Sequence, residues 1–473
     1  MNSILPLLLA FALLHGTTRS EPKPNFIVIT IDDLGYADTG PFGSKLNRTP
    51  NIDRMAQEGC KLTSFYAAPV CSPSRAALMT GCYAKRVLPI PHVLFPMDPI
   101  GLSPREVTVA ETLKGAGYAT AIIGKWHLGD QPEFLPNAQG FDLHFGLPYS
   151  NDMGPAADGV KSDLGKPVPK PKDPARGQPP LPLMRNGKVV KRVLPDDQQS
   201  LVRIYTDEAV EFIRTKKDTP FFLYLPHNAV HFPIYPGKDW AGKSPHGIYS
   251  DWVEEVDWSI GRILDTLRDQ GLAERTFVFF TSDNGGSPRG RNTPLRGNKG
   301  STFEGGIRVP AIAWWPTKIP AATTTDAITG MFDILPTLAD LAGAKPPSDR
   351  RIDGVDILPQ LTGNPATKPA HETFFYYNGL RLSAVRNADW KLQLESDPDA
   401  KEKPVRPGPK LFNLSTDIGE ANDVAESHPE VVAKLKAIAA AMNDDLGADG
   451  IGPGCRPLGR VKIPQPIIPF DTK

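Results

Sequence analysis

Between Pro24 and about residue 345 the chain alternates short β-branched or aromatic runs with longer stretches of helical periodicity. The short β-branched or aromatic runs Phe26–Ile31, Ala119–Ile123, Pro220–Leu225 and Phe277–Thr281 predict strands. Apolar spacing of three and four predicts helices over Pro50–Glu58, Val107–Lys114, Ser200–Thr215, Ile248–Gln270 and Met331–Ala342. Thr49 is placed to cap the first of these, Pro50 suits its first turn and Gly59 stops it. Strands alternating with helices predict an α/β domain with a largely parallel sheet. From Gly154 to Arg192 the chain is rich in Pro, Lys, Gly and Asp, which predicts a long surface loop. It reads equally as a lid or substrate-binding insertion and as an excursion without function.

Composition shifts after Gly343. Lys345–Lys368 reads as a Pro-rich connector, and Thr373–Tyr377, Arg381–Val385 and Trp390–Leu394 read as short antiparallel strands. Pro429–Met442 is an amphipathic helix, and a Pro-rich tail follows Gly452. The expected organisation is a large domain over residues 21–345 and a C-terminal subdomain with its tail over 346–473. A length of 473 residues agrees with more than one core. The 50 prolines, about twice average usage, point to long ordered loops.

Lys plus Arg and Asp plus Glu both number 53, so the basic excess of a nucleic-acid binder is absent. The apolar run Ile4–Leu14 is too short to span a bilayer and fits a signal peptide over residues 1–20, although a buried N-terminal strand is its other reading. No later stretch is long enough for a membrane span, so an exported, soluble protein is expected. Cys60, Cys71, Cys82 and Cys455 allow two disulfides in an oxidising compartment.

Each predicted strand runs into polar groups. Asp32-Asp33 follows the first, Gly124-Lys125-Trp126-His127 the second, His227 and His231 the third, and Ser282-Asp283-Asn284-Gly285-Gly286 the fourth. Any one of these alone reads as a turn or a satisfied histidine. In open α/β sheets, however, ligands bind outside the carboxyl ends of the strands, where all four would converge. Asp32, Asp33, Asp283 and Asn284 offer only hard oxygen donors, a set that favours Ca²⁺ or Mg²⁺ over zinc. The cations expected around them, Arg75, Lys125, His127, His231 and Lys299, imply a tetrahedral oxyanion substrate, sulfate or phosphate. Cys71-Ser72-Pro73-Ser74-Arg75, continued by Thr80-Gly81, places Cys71 at the entrance of a helix, where the dipole favours an anion. Taken alone, it is either a reactive thiol of low pKa or an inert buried cysteine.

Cys71-Ser72-Pro73-Ser74-Arg75 with Thr80-Gly81 resembles the signature of the formylglycine-dependent sulfatases. Asp32-Asp33-Leu34-Gly35 with Thr49-Pro50-Asn51-Ile52-Asp53, and Gly124-Lys125-Trp126-His127-Leu128-Gly129, resemble two further blocks of that family. So do Ser282-Asp283-Asn284-Gly285, Leu295-Arg296-Gly297-Asn298-Lys299-Gly300 and Glu304-Gly305-Gly306, in order, within a similarity running from about residue 24 to 440. Pro148-Tyr149-Ser150 with Asn151-Asp152 is similar to the arylsulfatase A branch.

The resemblance implies an alkaline-phosphatase-like large domain with a mostly parallel central sheet, which is the catalytic domain, and a smaller domain with an antiparallel sheet and a helix. It implies that a formylglycine-generating enzyme oxidises Cys71 to formylglycine (3-oxoalanine) during export, leaving three cysteines and at most one bridge. The aldehyde hydrate would attack the sulfur of a sulfated saccharide or aryl sulfate, and the sulfated enzyme would release sulfate as the aldehyde re-forms. One calcium ion would be held by Asp32, Asp33, Asp283, Asn284 and residue 71. Arg75 and Lys125 would hold the diol, and His127 would take its second proton. His231 and Lys299 would bind sulfate and protonate the leaving oxygen, with Ser150 as a further sulfate contact; spacing to Phe232-Pro233 favours His231 over His227. Two other readings remain. A phosphodiesterase or phosphonate monoester hydrolase of the same superfamily usually carries more metal-binding His and Asp, and a silent binder of sulfated glycans predicts a lost catalytic residue.

Overall fold

The computed structural model describes residues 22–168, 177–363, 367–394 and 409–470, so the signal peptide expected over 1–20 lies outside the described residues. Along the chain the first principal strands are β1 (Asn25–Ile31), β2 (Cys60–Tyr66), β3 (Ala119–Ile123), β4 (Leu143–Gly146), β5 (Pro182–Arg185) and β6 (Lys188–Arg192). They are followed by β7 (Phe221–His227), β8 (Thr276–Ser282), β9 (Arg308–Trp314), β10 (Thr323–Thr325) and β11 (Thr329–Gly330). All join one sheet in the order β10-β2-β9-β8-β1-β7-β3-β4-β5-β6, with β11 also beside β2. Its centre, β8-β1-β7-β3-β4, is parallel. β9 and β2 on one flank, and β5 and β6 on the other, pair antiparallel.

Successive residues of β1 face opposite cores. Phe26 and Val28 join one apolar cluster, and Ile27, Ile29 and Ile31 join the other. This two-sided burial is why the strand reads as an unbroken apolar run. The helices that cover the sheet are α1 (Pro50–Gln57), α2 (Cys71–Thr80), α3 (Val109–Gly115), α4 (Leu201–Thr215), α5 (Ile248–Asp269) and α6 (Ile334–Leu341). α2, α3 and α6 bury their apolar faces in the first cluster, and α1, α4 and α5 in the second.

Several expectations are corrected. Thr49 does not cap α1, because its hydroxyl accepts from the Gly40 N–H (2.8 Å) and donates to Asp53 (3.0 Å). Asp257 of α5 accepts the first-turn N–H groups of Asn51 and Ile52 instead (3.0 and 2.8 Å). The segment 154–192 is not all loop, since β5 and β6 form a hairpin on the sheet edge. Its Asn186-Gly187 turn, with φ of 47° and 75°, is the two-residue connection such hairpins favour. The run Lys188–Arg192 hid the strand because an exposed edge needs no apolar face. β9 escaped notice because Pro310 lies within it, where the pairing with β2 shifts register. His227, expected beyond its strand, is the last residue of β7.

The C-terminal strands β12 (Thr373–Asn378), β13 (Arg381–Asn387), β14 (Trp390–Gln393) and β15 (Lys410–Asn413) form a separate antiparallel sheet beneath α7 (Pro429–Leu446). Hydrogen bonding is separate, but packing is continuous: Phe374, Tyr376, Val385, Leu392 and Leu411 lie in the same apolar cluster as Phe26 and α2. The tail returns to the large sheet's side, where Gly459–Arg460 pairs with Ile100–Gly101. All four cysteines are free. Among the described residues no helix is long and apolar enough to cross a membrane.

Helix α5 also fixes loops with buried acids. Glu255 accepts the Gly237 N–H at 2.7 Å, and burial pushes its carboxyl up from 4.5 to about 8. A carboxyl whose folded pKa is raised contributes stability that is full below its unfolded value and lost as pH rises toward 8. Glu255→Gln is therefore expected to raise the melting temperature by several degrees at pH 8.5 and to change it little at pH 4.5. Thermal unfolding at the two pH values checks this, and an equal shift at both would refute the titration.

Candidate active site

The register of the sheet assembles the site. Ile31 of β1 pairs with His227 of β7 on one side and Ser282 of β8 on the other, so Asp32-Asp33 and Asp283-Asn284 leave adjacent strands at one level. Beyond β3, the Lys125 N–H donates to Pro226 O (2.8 Å) and the His127 N–H to Pro148 O (3.0 Å), which turns both side chains toward the same edge. Gly124 makes this possible, since at φ 134° a Cβ would collide with the Pro226 carbonyl. Asp33 and His127 themselves hold left-handed backbone, with φ of 62° and 64°, strain of the kind that clusters at functional sites.

Cys71 is the first residue of α2 and only 2% exposed. Its thiol donates to Asp32 Oδ1 at 3.4 Å, and Lys299 Nζ approaches the sulfur at 3.6 Å. Donor atoms of Asp32, Asp33, Cys71 and His231 all lie within 4.8 Å of one another. One helical turn after Cys71, Arg75 donates to Asp283 Oδ2 from Nε (3.0 Å) and Nη2 (2.7 Å). Nη2 also lies 3.5 Å from Asp32 Oδ2. Lys125 pairs with Asp32 and donates to Ser150 Oγ at 3.2 Å. Lys299 Nζ is 2.6 Å from Asp33 Oδ1, which also accepts from Asn284 Nδ2 at 2.8 Å.

The histidines differ. His127 Nε2 lies 2.9 Å from Leu94 O, and a carbonyl only accepts, so Nε2 carries the proton. Nδ1 is left as a buried lone pair with no partner among the described residues. His231 Nδ1 donates to Phe232 O (2.5 Å) and lies 3.4 Å from Ser150 Oγ, which turns Nε2 toward Asp33 Oδ2 at 3.8 Å. His227 does not join the group, because its Nε2 meets Ser259 Oγ of α5 at 3.1 Å.

Electrostatics follow from these neighbours. Burial works against the Asp32 carboxylate, but Lys125, His231, Arg75 and Lys299 outweigh it and hold the group far below the usual range. Burial pushes Asp283 up, and the Asp32 charge adds to this against Arg75. Although burial opposes its charge, Lys299 lies well above the usual lysine range because of Asp33 and its neighbours. Burial, then Lys125 and Arg75, hold His127 well below the usual histidine range, which leaves it neutral. Burial and Asp32 push the Cys71 thiol up against the pull of Lys125 and Lys299, so the low-pKa thiol that the helix entrance suggested is not found.

The residues fit a hard divalent cation. Asn284 Oδ1 is buried with no partner among the described residues, beside the convergent carboxylates of Asp32 and Asp33. Asp283 stands one step away, joined by the Asp33 N–H (3.4 Å to Oδ1) and by Arg75. Sequence reasoning missed Leu94 and Ser72. The Ser72 hydroxyl accepts from the Leu94 N–H at 3.2 Å, so the motif that carries Cys71 also holds the carbonyl that orients His127. A main-chain acceptor leaves no trace in side-chain chemistry.

An oxyanion-receptive ring of cations around clustered carboxylates, at the carboxyl edge of an α/β sheet, defines a hydrolase of alkaline-phosphatase-like fold. The sulfatase family model matches residues 24–344, and the model for the C-terminal region of aryl-sulfatase matches 369–450. The chain is 36% identical to N-acetylgalactosamine-6-sulfatase of Sus scrofa, over 96% of this chain and 95% of that protein. It is 38% identical to human arylsulfatase A, over 92% and 90%. PsFucS1 sulfatase from Pseudoalteromonas sp. superposes with a TM-score of 0.78 at 30% identity, covering 91% of this chain and 92% of that one. The chain belongs to the sulfatase family and is a sulfuric ester hydrolase, which sets aside the reading as a silent glycan binder.

Proposed function

We propose that this sulfatase cleaves the sulfate ester of a sulfated saccharide or aryl sulfate through formylglycine at position 71, with one calcium ion beside it. The observation that carries this reading is the convergence of Cys71, Asp32, Asp33 and His231 donor atoms within 4.8 Å at the start of α2. The saccharide part rests on similarity to N-acetylgalactosamine-6-sulfatase. As an aldehyde hydrate, residue 71 supplies one hydroxyl to attack sulfur and a second whose deprotonation expels sulfate. Calcium would be held by Asp32, Asp33, Asp283, Asn284 and residue 71, and would polarise a sulfate oxygen.

The remaining work falls to side chains. Lys125 and Arg75 orient residue 71, and Lys125 does so while fixed by Asp32 and Ser150. His127 accepts the second hydroxyl's proton at Nδ1, since Leu94 O holds the other nitrogen protonated. Lys299 and His231 bind sulfate with Ser150, and they donate the proton that the leaving oxygen needs. The catalytic domain spans 21–345, and 346–473 is the C-terminal subdomain. Export through a signal peptide over 1–20 would bring the chain to a formylglycine-generating enzyme, and thereafter to the periplasm, the cell exterior or a lysosome.

With Ca²⁺ present, the matured enzyme is expected to turn over 4-nitrophenyl sulfate at least about 10²-fold faster than 4-nitrophenyl phosphate. Hydrolysis rates on the two esters check this, and preference for phosphate by orders of magnitude would sink the assignment. Mass spectrometry of the peptide containing residue 71 reports whether the aldehyde has formed.

A further inference from the structure

Lys299 has no rigid element of its own. It stands on the loop between Arg296 and Glu304, and its ammonium must reach both Asp33 (2.6 Å) and the Cys71 sulfur (3.6 Å). Within the large domain the loop is tied to the Pro69 carbonyl through the Gly300 N–H (2.9 Å) and to Gly286 O through the Lys299 N–H (3.0 Å). Asn292 Nδ2 also donates to Gly297 O (3.2 Å) and Asn298 Oδ1 (3.1 Å), and the Tyr66 hydroxyl and Arg308 Nη1 donate to Glu304 Oε2 (2.7 and 3.3 Å). Further anchors come from the C-terminal sheet and the segment that follows it. Lys391 of β14 donates to Thr302 O at 2.8 Å, and its Nζ lies 3.0 Å from Glu304 Oε1 and 2.7 Å from Glu420 Oε1. Glu420 in turn accepts the Glu304 N–H at Oε2 (2.7 Å), and its carbonyl accepts from Arg296 Nη1 (3.0 Å). Glu420 thus meets both ends of the loop, Glu304 through its carboxyl and Arg296 through its main-chain carbonyl, and the Lys391 ammonium secures Thr302 beside Glu304. The side chains of Lys391, Glu304 and Glu420 are all fully buried. Burying three charges is unfavourable unless their geometry is fully specified, so this cluster restrains the loop more strongly than a surface ion pair could.

We propose that Lys391 and Glu420 are positioning residues for the Lys299 ammonium, so that the C-terminal subdomain sets the geometry of the sulfate site through the 296–304 loop. The inference rests on the reading of Lys299 as a site cation. It requires no contact between Lys391 or Glu420 and substrate.

The test is a double-mutant cycle in the full-length matured enzyme. Lys391→Met leaves two buried carboxylates facing each other, so Glu420→Gln serves as the gentler second variant. Each is made in the wild type and in Lys299→Ala, and kcat and KM are measured on whichever ester the wild type hydrolyses, so that failure of the sulfate reading leaves the test intact. Because small displacements far from the chemistry can cost about 10²-fold, Lys391→Met is expected to lower kcat/KM by about that factor in the wild type. In Lys299→Ala it is expected to lower it by less than about threefold, since the group it positions is gone. Amide hydrogen exchange across 296–306 is expected to accelerate in both variants while the large sheet stays protected. Equal losses in both backgrounds, or unchanged exchange in the loop, would overturn the proposal.

Discussion

Replacing Cys71 with alanine is expected to lower kcat/KM by at least about 10⁴-fold while leaving the fold in place. The size of the effect follows from the proposed chemistry, in which the nucleophile and the sulfate-expelling group are one residue. The fold should survive because the sulfur makes only a 3.4 Å hydrogen bond to Asp32 and a 3.6 Å approach to Lys299. Asp32 keeps Lys125 and Arg75, and Lys299 keeps Asp33. Turnover of an aryl sulfate together with thermal unfolding checks both halves. A folded Cys71→Ala enzyme with wild-type turnover would falsify the assignment of the nucleophile.

Chelation is expected to have the second largest effect. Treatment with EGTA should reduce turnover by more than about 10²-fold, with recovery on adding Ca²⁺ but not Zn²⁺. The reason is the donor chemistry: Asp32, Asp33, Asp283 and Asn284 offer hard oxygen alone, and in the proposed roles His231 is given to sulfate. The melting temperature should fall with the activity, because an ion bound only by the folded state stabilises it by mass action. Full activity in enzyme shown by elemental analysis to hold no calcium would remove the ion from the mechanism.

The parallel centre of the fold was readable because β1, β3, β7 and β8 are buried on both faces and leave apolar runs. Strands at the flanks were not, because β6 needs only an edge and β9 accommodates a proline in a register shift. The candidate site was legible wherever chemistry resides in side chains at strand exits, as with Asp32, Lys125, His127 and Asp283. His227 and His231 were ranked by their spacing, and the structure separates them, His227 turning to Ser259 and His231 to Ser150. What remained hidden were partners of the main chain and partners distant in sequence. Leu94 acts through its carbonyl. Lys391 lies 87 positions from Glu304, in a strand whose interior reading gave no reason to expect a charge.

The apolar interior that runs unbroken from Phe26 to Leu411 bears on how the protein is made. An emerging polypeptide that has reached the connector near residue 345 already carries every motif of the resemblance, yet Thr302 and Glu304 still lack the ammonium and the acid that fasten them. Only when Glu420 leaves the ribosome does the Lys299 loop gain its last anchor. A truncated product ending at the connector should thus be an insoluble intermediate rather than a miniature enzyme, with the aromatic faces of Tyr66 and Phe332 uncovered where Phe374 would have stacked.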